Sequence, residues 1–113
     1  MSKFVIKRND TAPAMEARLL TKTLQNVSIV GATVVFNMRT PSGTVVIDRA
    51  PVTVLDAATG VVKYEWDAGD TARSGVYQAE FEVTFFDTKI ETFPKSENTA
   101  SNFISVIVSD DVA

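Results

Sequence analysis

The sequence predicts a single all-β domain, an antiparallel sandwich of about eight or nine strands with Greek-key connections. Apolar and polar side chains alternate with a period of two over most of the chain, as in strands that bury one face. Clusters of Gly, Pro and Asp separate these stretches at intervals of about 8–12 residues, which is typical of sandwiches. The 113 residues correspond in length to one domain, which we place at residues 1–113.

Nine stretches fit this strand pattern, and residues that favour turns bound each of them. In the clearest stretch, Val34, Phe36 and Met38 would share one face of the strand. The second stretch is ambiguous, because the adjacent Leu19 and Leu20 break the alternation and a short helical turn is an alternative. In chain order the predicted strands cover residues 4–7, 17–24, 32–39, 44–48, 51–55, 61–66, 75–86, 89–93 and 103–108.

The late strands supply the largest predicted core side chains. Val62, Tyr64 and Trp66 would share one face, and we interpret Trp66 as a core anchor. The alternative is that Trp66 or Tyr64 forms an exposed platform on which a carbohydrate stacks. The other inward positions predicted in the late strands are Tyr77, Ala79, Phe81, Val83, Phe85, Ile104, Val106 and Val108.

The segment from Asp70 to Tyr77 is typical of a corner between the two sheets of an immunoglobulin-like domain. In such domains a tyrosine near the start of a late strand donates its hydroxyl hydrogen bond to the upstream backbone. Here Tyr77 follows an Asp-x-Ala turn, with two extra residues before Gly75. We therefore predict structural roles for Asp70 and Tyr77, an immunoglobulin-like sandwich, and a crossing between the sheets at residues 67–74.

The composition argues against an enzyme. The chain has neither cysteine nor histidine, which removes disulfides, the commonest zinc ligands and the usual nucleophile–base pairs. Glu80 and Glu82 are neighbours on one solvated strand face, whereas glycoside hydrolysis needs two carboxylates across a cleft. We expect no catalytic residue, no cofactor-binding residue, no cofactor and no metal ligand.

Charge and hydropathy also argue against nucleic-acid and membrane partners. The formal net charge is −3, and the 11 Lys and Arg residues are scattered rather than clustered on one stripe. The apolar run at residues 4–6 is too short for a signal-peptide core, and no run approaches the ~20 residues of a membrane span. We expect a protein that is made in a cytoplasm and stays soluble unless a larger particle carries it out.

Some apolar side chains fall on the strand faces opposite the predicted core. Val35, Val76, Phe86, Phe103 and Ile107 would face outward, and contiguous exposed apolar patches mark partner surfaces. The alternative is that loops or the first strand cover them. We predict that Val35, Phe86, Phe103 and Ile107 form an interface with another protein subunit.

Several turn and strand motifs occur in a characteristic order along nearly the whole chain. They are Lys-Arg-Asn-Asp-Thr-Ala-Pro at 7–13, Gly-Ala-Thr-Val-Val-Phe-Asn-Met-Arg at 31–39, Asp-Ala-Ala-Thr-Gly-Val-Val at 56–62, the segment at 71–81, and Glu-Thr-Phe-Pro at 91–94. In these motifs the chain resembles the N-terminal immunoglobulin-like domain of tailed-phage baseplate upper proteins. That family carries no catalytic residues.

The resemblance implies a phage or prophage structural protein of the baseplate or tail. Such a protein would be synthesised in the host cytoplasm and reside in the virion, docking onto other virion proteins through a sheet face or an open edge strand. A ring-forming or trimeric contact between copies is compatible with this role.

In the family this domain precedes helical parts and parts that hold receptor-binding proteins. Because this sequence ends at Ala113, we expect a small virion or assembly component. A head decoration protein and a carbohydrate- or cell-surface-binding module are the alternatives.

Overall fold

The computed structural model describes residues 2–95 and 103–110, which form nine strands in two sheets. Within these ranges no helix is long and apolar enough to cross a membrane. The nine strands in two sheets confirm the all-β sandwich predicted from the alternation. The strands are β1 (Ser2–Lys7), β2 (Met15–Arg18), β3 (Thr33–Arg39), β4 (Val45–Pro51), β5 (Thr53–Asp56), β6 (Val61–Tyr64), β7 (Gly75–Thr84), β8 (Ile90–Phe93) and β9 (Ile104–Ser109).

The larger sheet has the strand order β1-β9-β7-β3-β4, and β8 also pairs with β7. Strands β8 and β9 lie end to end along one edge of β7, because β8 pairs with residues 81–84 and β9 with residues 75–79. All pairs in this sheet are antiparallel except β1 with β9, which is parallel and runs in register from Ser2 with Ile104 to Lys7 with Ser109. The sequence pattern did not reveal this parallel pair.

The smaller sheet has the order β2-β6-β5 and is antiparallel. The chain passes between the sheets through Val52 alone on the β4–β5 side, but through residues 8–14 on the β1–β2 side. Two further crossings join β2 to β3 through residues 19–32 and β6 to β7 through residues 65–74. The second of these is where a crossing between the sheets was expected. The β3-β7-β9 and β2-β6-β5 arrangements correspond to the C-F-G and B-E-D strands of immunoglobulin-like sandwiches.

The core lies between the sheets and consists of the inward positions of both. Along β7 the alternation is regular, with Tyr77, Ala79, Phe81 and Val83 all buried. Aromatic rings form its centre: Phe36 stacks on Tyr64 with ring centroids 4.2 Å apart, and Trp66 meets Tyr64 edge-on at 5.1 Å. Such pairs add about 0.5–1.5 kcal/mol each beyond the area they bury. Trp66 is only 4% exposed, so its role as a core anchor is confirmed.

The second predicted strand differs most from its predicted range of 17–24. Strand β2 ends at Arg18, and residues 21–25 form a turn in which Leu24 has a φ of +65°. The Thr21 hydroxyl accepts a hydrogen bond from the Gln25 N–H at 3.1 Å and closes this turn. Leu19 is buried beyond the strand, and its N–H donates to the Gly60 carbonyl at 2.7 Å.

The remaining differences are at the ends of strands, where small shifts are common. Strand β6 ends at Tyr64, so Trp66 lies just after the strand, and β7 ends at Thr84 rather than residue 86. Pro51 ends β4 instead of beginning β5. The predicted polar loop at residues 96–100 and the end of the predicted tail, residues 111–113, lie outside the described residues.

Candidate protein-interaction surface

The outer face of the larger sheet carries the outward side chains of β1, β9, β7 and β3. At one end of this face, Val5 of β1 lies opposite Ile107 of β9, and Ile107 lies opposite Val76 of β7. Val5 and Val76 are each 53% exposed, and Ile107 is half-buried between them. These three residues, which we call the valine row, form a continuous apolar strip across three strands.

The middle of the same face is polar. Here lies an open groove of about 530 Å³ between β3, β4 and β7, with Phe103 at one side of it. Arg49 pairs with the carboxylate of Glu82, and its backbone N–H donates to the Asn37 side-chain oxygen at 2.7 Å. These contacts engage Glu82 in an ion pair on the outward face of β7. Glu80 lies beside it on the same face, as the alternation predicts, and the two carboxylates do not face each other across a cleft.

The far end of the sandwich carries three exposed apolar side chains. Val30, Phe86 and Ile90 are 67%, 87% and 61% exposed, and we call them the tip cluster. Phe86 and Ile90 lie at the two sides of the β7–β8 turn, in which the Phe85 N–H donates to the Lys89 carbonyl at 2.8 Å. Gly31 brings the Val30 loop to this turn, since a Cβ at Gly31 would lie 3.6 Å from Phe86 Cβ.

The four residues predicted to form the interface are distributed along this outer surface. Ile107 belongs to the valine row, and Phe103 lines the polar groove. Val35 lies between Glu82 and Pro51 on neighbouring strands and is half-buried. Phe86 belongs to the tip cluster. Ten positions along β7 and beyond separate Val76 from Phe86, or about 33 Å of extended chain, so the four residues do not form one contiguous patch.

The sequence pattern placed Val76 outward, as observed, but missed the other members of the two apolar groups, Val5, Val30 and Ile90. Val5 could have been found from alternation, since Phe4 and Ile6 point toward the core and leave it outward. Its position beside Ile107 depends on the parallel β1–β9 pairing, for which the sequence contains no local signal. Val30 and Ile90 lie near Phe86 because the loops that carry them converge at one end of the sandwich.

The opposite end of the sandwich is closed by hydrogen bonds. The Tyr77 hydroxyl donates to the Arg73 carbonyl at 2.7 Å, which is the predicted corner contact. Asp70 accepts hydrogen bonds from the Tyr64 hydroxyl and from the Asp67 N–H. The buried Thr71 hydroxyl donates to the Asp10 carbonyl at 2.8 Å. The structural interpretation of Asp70 and Tyr77 is therefore confirmed.

Tyr64 is held in its neutral form. Burial is the largest cause that raises the pKa of its hydroxyl above the usual value, and the hydrogen bond to Asp70 is the second. The negative charges of Asp70 and Asp67 act in the same direction. Tyr64 therefore serves as a hydrogen-bond donor beneath the corner.

No exposed aromatic platform exists at Trp66 or Tyr64. Both rings are buried, so the carbohydrate-binding alternative loses the two side chains on which it depended. The Trp66 indole N–H has no hydrogen-bond partner within the described residues. Across residues 2–95 and 103–110, no three acidic side chains lie close enough together to hold a metal ion.

Comparison with known proteins identifies a family. The family whose sequence model matches is described as the BppU N-terminal domain, that of a phage baseplate upper protein, and the match covers residues 8–111. No curated protein sequence matches the chain. Among solved structures, CopC from Methylosinus trichosporium OB3b is similar with a TM-score of 0.54 and 11% identity, over 100% of this chain and 89% of CopC. At that identity the likeness concerns the fold alone.

Proposed function

The chain belongs to the BppU N-terminal domain family, and from this premise we propose that it is a docking module of a phage baseplate. The observation that carries the proposal is the family match over residues 8–111, which spans every strand except β1. Membership makes the chain a baseplate structural domain. The docking mechanism, and its place in the virion after synthesis in the host cytoplasm, are our proposal.

The tip cluster supports docking onto a neighbouring virion protein. Its three side chains are exposed, although none of them contributes to the core between the sheets. Exposure of Phe86 gives the isolated domain no hydrophobic stabilisation, whereas burial in a contact would stabilise the assembly by about 2 kcal/mol. Aromatic side chains are also enriched at the centres of protein interfaces. We therefore place the main contact at Phe86, with Val30 and Ile90 around it.

We also infer that the domain acts without catalysis. The full sequence lacks cysteine and histidine, so a reaction would depend on carboxylates, hydroxyls or amines. Glu82 is engaged with Arg49, and Asp70 accepts hydrogen bonds that hold the corner. These carboxylates have structural partners, which supports a structural role.

The substitution Phe86→Asp tests the docking contact. Because the ring is exposed, the variant should fold and melt like the unmodified protein, while its incorporation into phage particles falls by at least about ten-fold, the effect of losing ~1.4 kcal/mol. Co-sedimentation with purified particles measures incorporation, and circular dichroism checks the fold. Ser28→Asp is the matched control, since it adds the same charge at a position of the adjacent loop. Full incorporation of Phe86→Asp would remove the assignment.

A further inference from the structure

Edge strands are where one protein chain can pair with another, because their outer N–H and C=O groups lack a strand partner. Natural sheets blunt such edges with short strands, bulges, proline or charged side chains. Five strands of the described residues have an unpaired side. Four of them are blunted: β2, β5 and β8 have 4 residues each, and β4 has register shifts against β3 and ends at Pro51.

Strand β1 is the exception among these edges. It has 6 residues, contains no proline, and pairs with β9 without a register shift. Its free side therefore offers the longest regular backbone edge in the part of the chain that the structure describes. The one protective device on β1 is charge, since Lys3 and Lys7 point outward on either side of Val5.

The two lysines decide which strand this edge can accept. Neither Lys3 nor Lys7 takes part in the ion pairs found among the described residues. If a second copy paired antiparallel about Val5, Lys3 of each copy would lie opposite Lys7 of the other. If it paired parallel in register, each lysine would lie beside its own equivalent. Like charges that face each other across strands are destabilising, so the edge disfavours a second copy of this chain.

We propose that the free edge of β1 accepts an extended strand of a partner protein in which acidic, apolar and acidic side chains occupy alternate positions. The backbone of the added strand extends the larger sheet, as in other cases of strand addition. Its two carboxylates lie opposite Lys3 and Lys7. Its apolar side chain lies beside Val5 and lengthens the valine row by one strand. This inference rests on the docking function and specifies the chemistry of one partner.

A synthetic peptide tests the inference on the full chain. The probe is fluorescein-labelled Thr-Glu-Thr-Val-Thr-Glu-Thr, which presents Glu, Val and Glu on one face of a strand, and fluorescence anisotropy measures its binding. We expect binding that weakens about ten-fold in the double variant Lys3→Glu, Lys7→Glu, since two favourable cross-strand charge pairs become two unfavourable ones. Amide chemical shifts should change along β1 and not along β4 or β5.

Charge reversal on the peptide provides the matched control. A peptide with Lys in place of both Glu residues should bind the double variant better than it binds the unmodified chain. Absence of binding, equal binding to both chains, or shift changes at β4 or β5 would each overturn the proposal. Circular dichroism verifies that the double variant is folded.

As a second measure on the folded chain, raising the salt concentration from about 50 mM to about 500 mM should weaken binding of the acidic peptide, because screening reduces these charge pairs.

Particle incorporation separates this inference from the proposed function. If Phe86→Asp abolishes incorporation while the lysine variant assembles normally and binds the peptide unchanged, the strand-addition proposal fails and docking remains. If both variants are incorporated fully, the docking function itself fails. Loss of incorporation in the lysine variant, together with weaker peptide binding, supports both.

Discussion

The two ends of the sandwich differ in what their side chains contact. At the corner end, Tyr64, Asp70 and Tyr77 are joined to the backbone or to one another by hydrogen bonds. At the tip end, Phe86 and Val30 extend from turns that are closed by backbone hydrogen bonds, and their side chains face solvent. The hydrogen bonds that close these turns do not involve the exposed side chains of Phe86 and Val30.

This difference shows how a small domain can separate stability from recognition. Buried polar groups at the corner are costly to leave unpaired, at about 1–3 kcal/mol each. Exposed apolar groups at the tip carry no such constraint, so their identity can follow the requirements of a partner. Substitutions at the corner should therefore affect folding, whereas substitutions at the tip should affect assembly alone.

Replacing Asp70 with Ala should have the largest effect on the stability of the corner end. The variant leaves the buried Tyr64 hydroxyl and the Asp67 N–H without their acceptor, and we expect a loss of about 2–3 kcal/mol in the free energy of unfolding. Urea unfolding followed by tryptophan fluorescence measures it. Asp87→Ala, at an exposed turn of the tip end, is the control. Equal losses for the two variants would contradict the contrast between the ends.

Replacing Tyr77 with Phe isolates the corner hydrogen bond. The ring remains in the core while the bond to the Arg73 carbonyl is lost, so the free energy of unfolding should fall by about 1 kcal/mol. Thermal unfolding by calorimetry is a suitable measurement. A variant as stable as the unmodified protein would show that the corner contact is dispensable.

Alkaline pH should weaken the corner end selectively. The pKa of Tyr64 is raised in the folded protein, so the unfolded chain loses this proton first, near its ordinary pKa of about 10. The stabilisation from Tyr64 is therefore complete below about pH 10 and declines as pH rises further. Urea midpoints between about pH 9 and 11.5 should fall more steeply for the unmodified protein than for Tyr64→Phe. Parallel slopes would refute this coupling.

Truncation of Phe86 to Ala should have the smallest effect on folding. Because the ring is 87% exposed, we expect the free energy of unfolding to change by less than about 0.5 kcal/mol. The matched control is Phe93→Ala on the neighbouring strand, where the ring is buried and removal should cost about 3–5 kcal/mol. If Phe86→Ala destabilises the domain comparably, the tip cluster has a structural role.

Local patterns in the sequence predicted the interior well. The inward positions of Phe36, Trp66 and Phe81 follow from alternation alone, and the Asp70–Tyr77 corner follows from a motif that spans a few residues. These features depend on neighbours in the chain, so a single sequence contains them.

Features that depend on distant pairing could not be predicted in the same way. The valine row requires the parallel register of β1 with β9, which brings together residues from the two ends of the chain. The scattering of Val35, Phe86, Phe103 and Ile107 depends on which strands become neighbours and where each one ends. Whether these four residues contact a partner stays a prediction.

On one side of the sandwich, the single residue between β4 and β5 joins the two sheets directly. That connection, Val52, is one residue long, whereas residues 8–14 connect the sheets on the opposite side. On this opposite side a cavity of about 350 Å³ lies between β1, β2 and the ends of β8 and β9. A transient opening of the sandwich would therefore separate the sheets on the β1–β2 side, next to the strand that we assign to recognition. A force applied to a strand added to β1 would act first on the β1–β2 side and would leave the β4–β5 connection at Val52 intact.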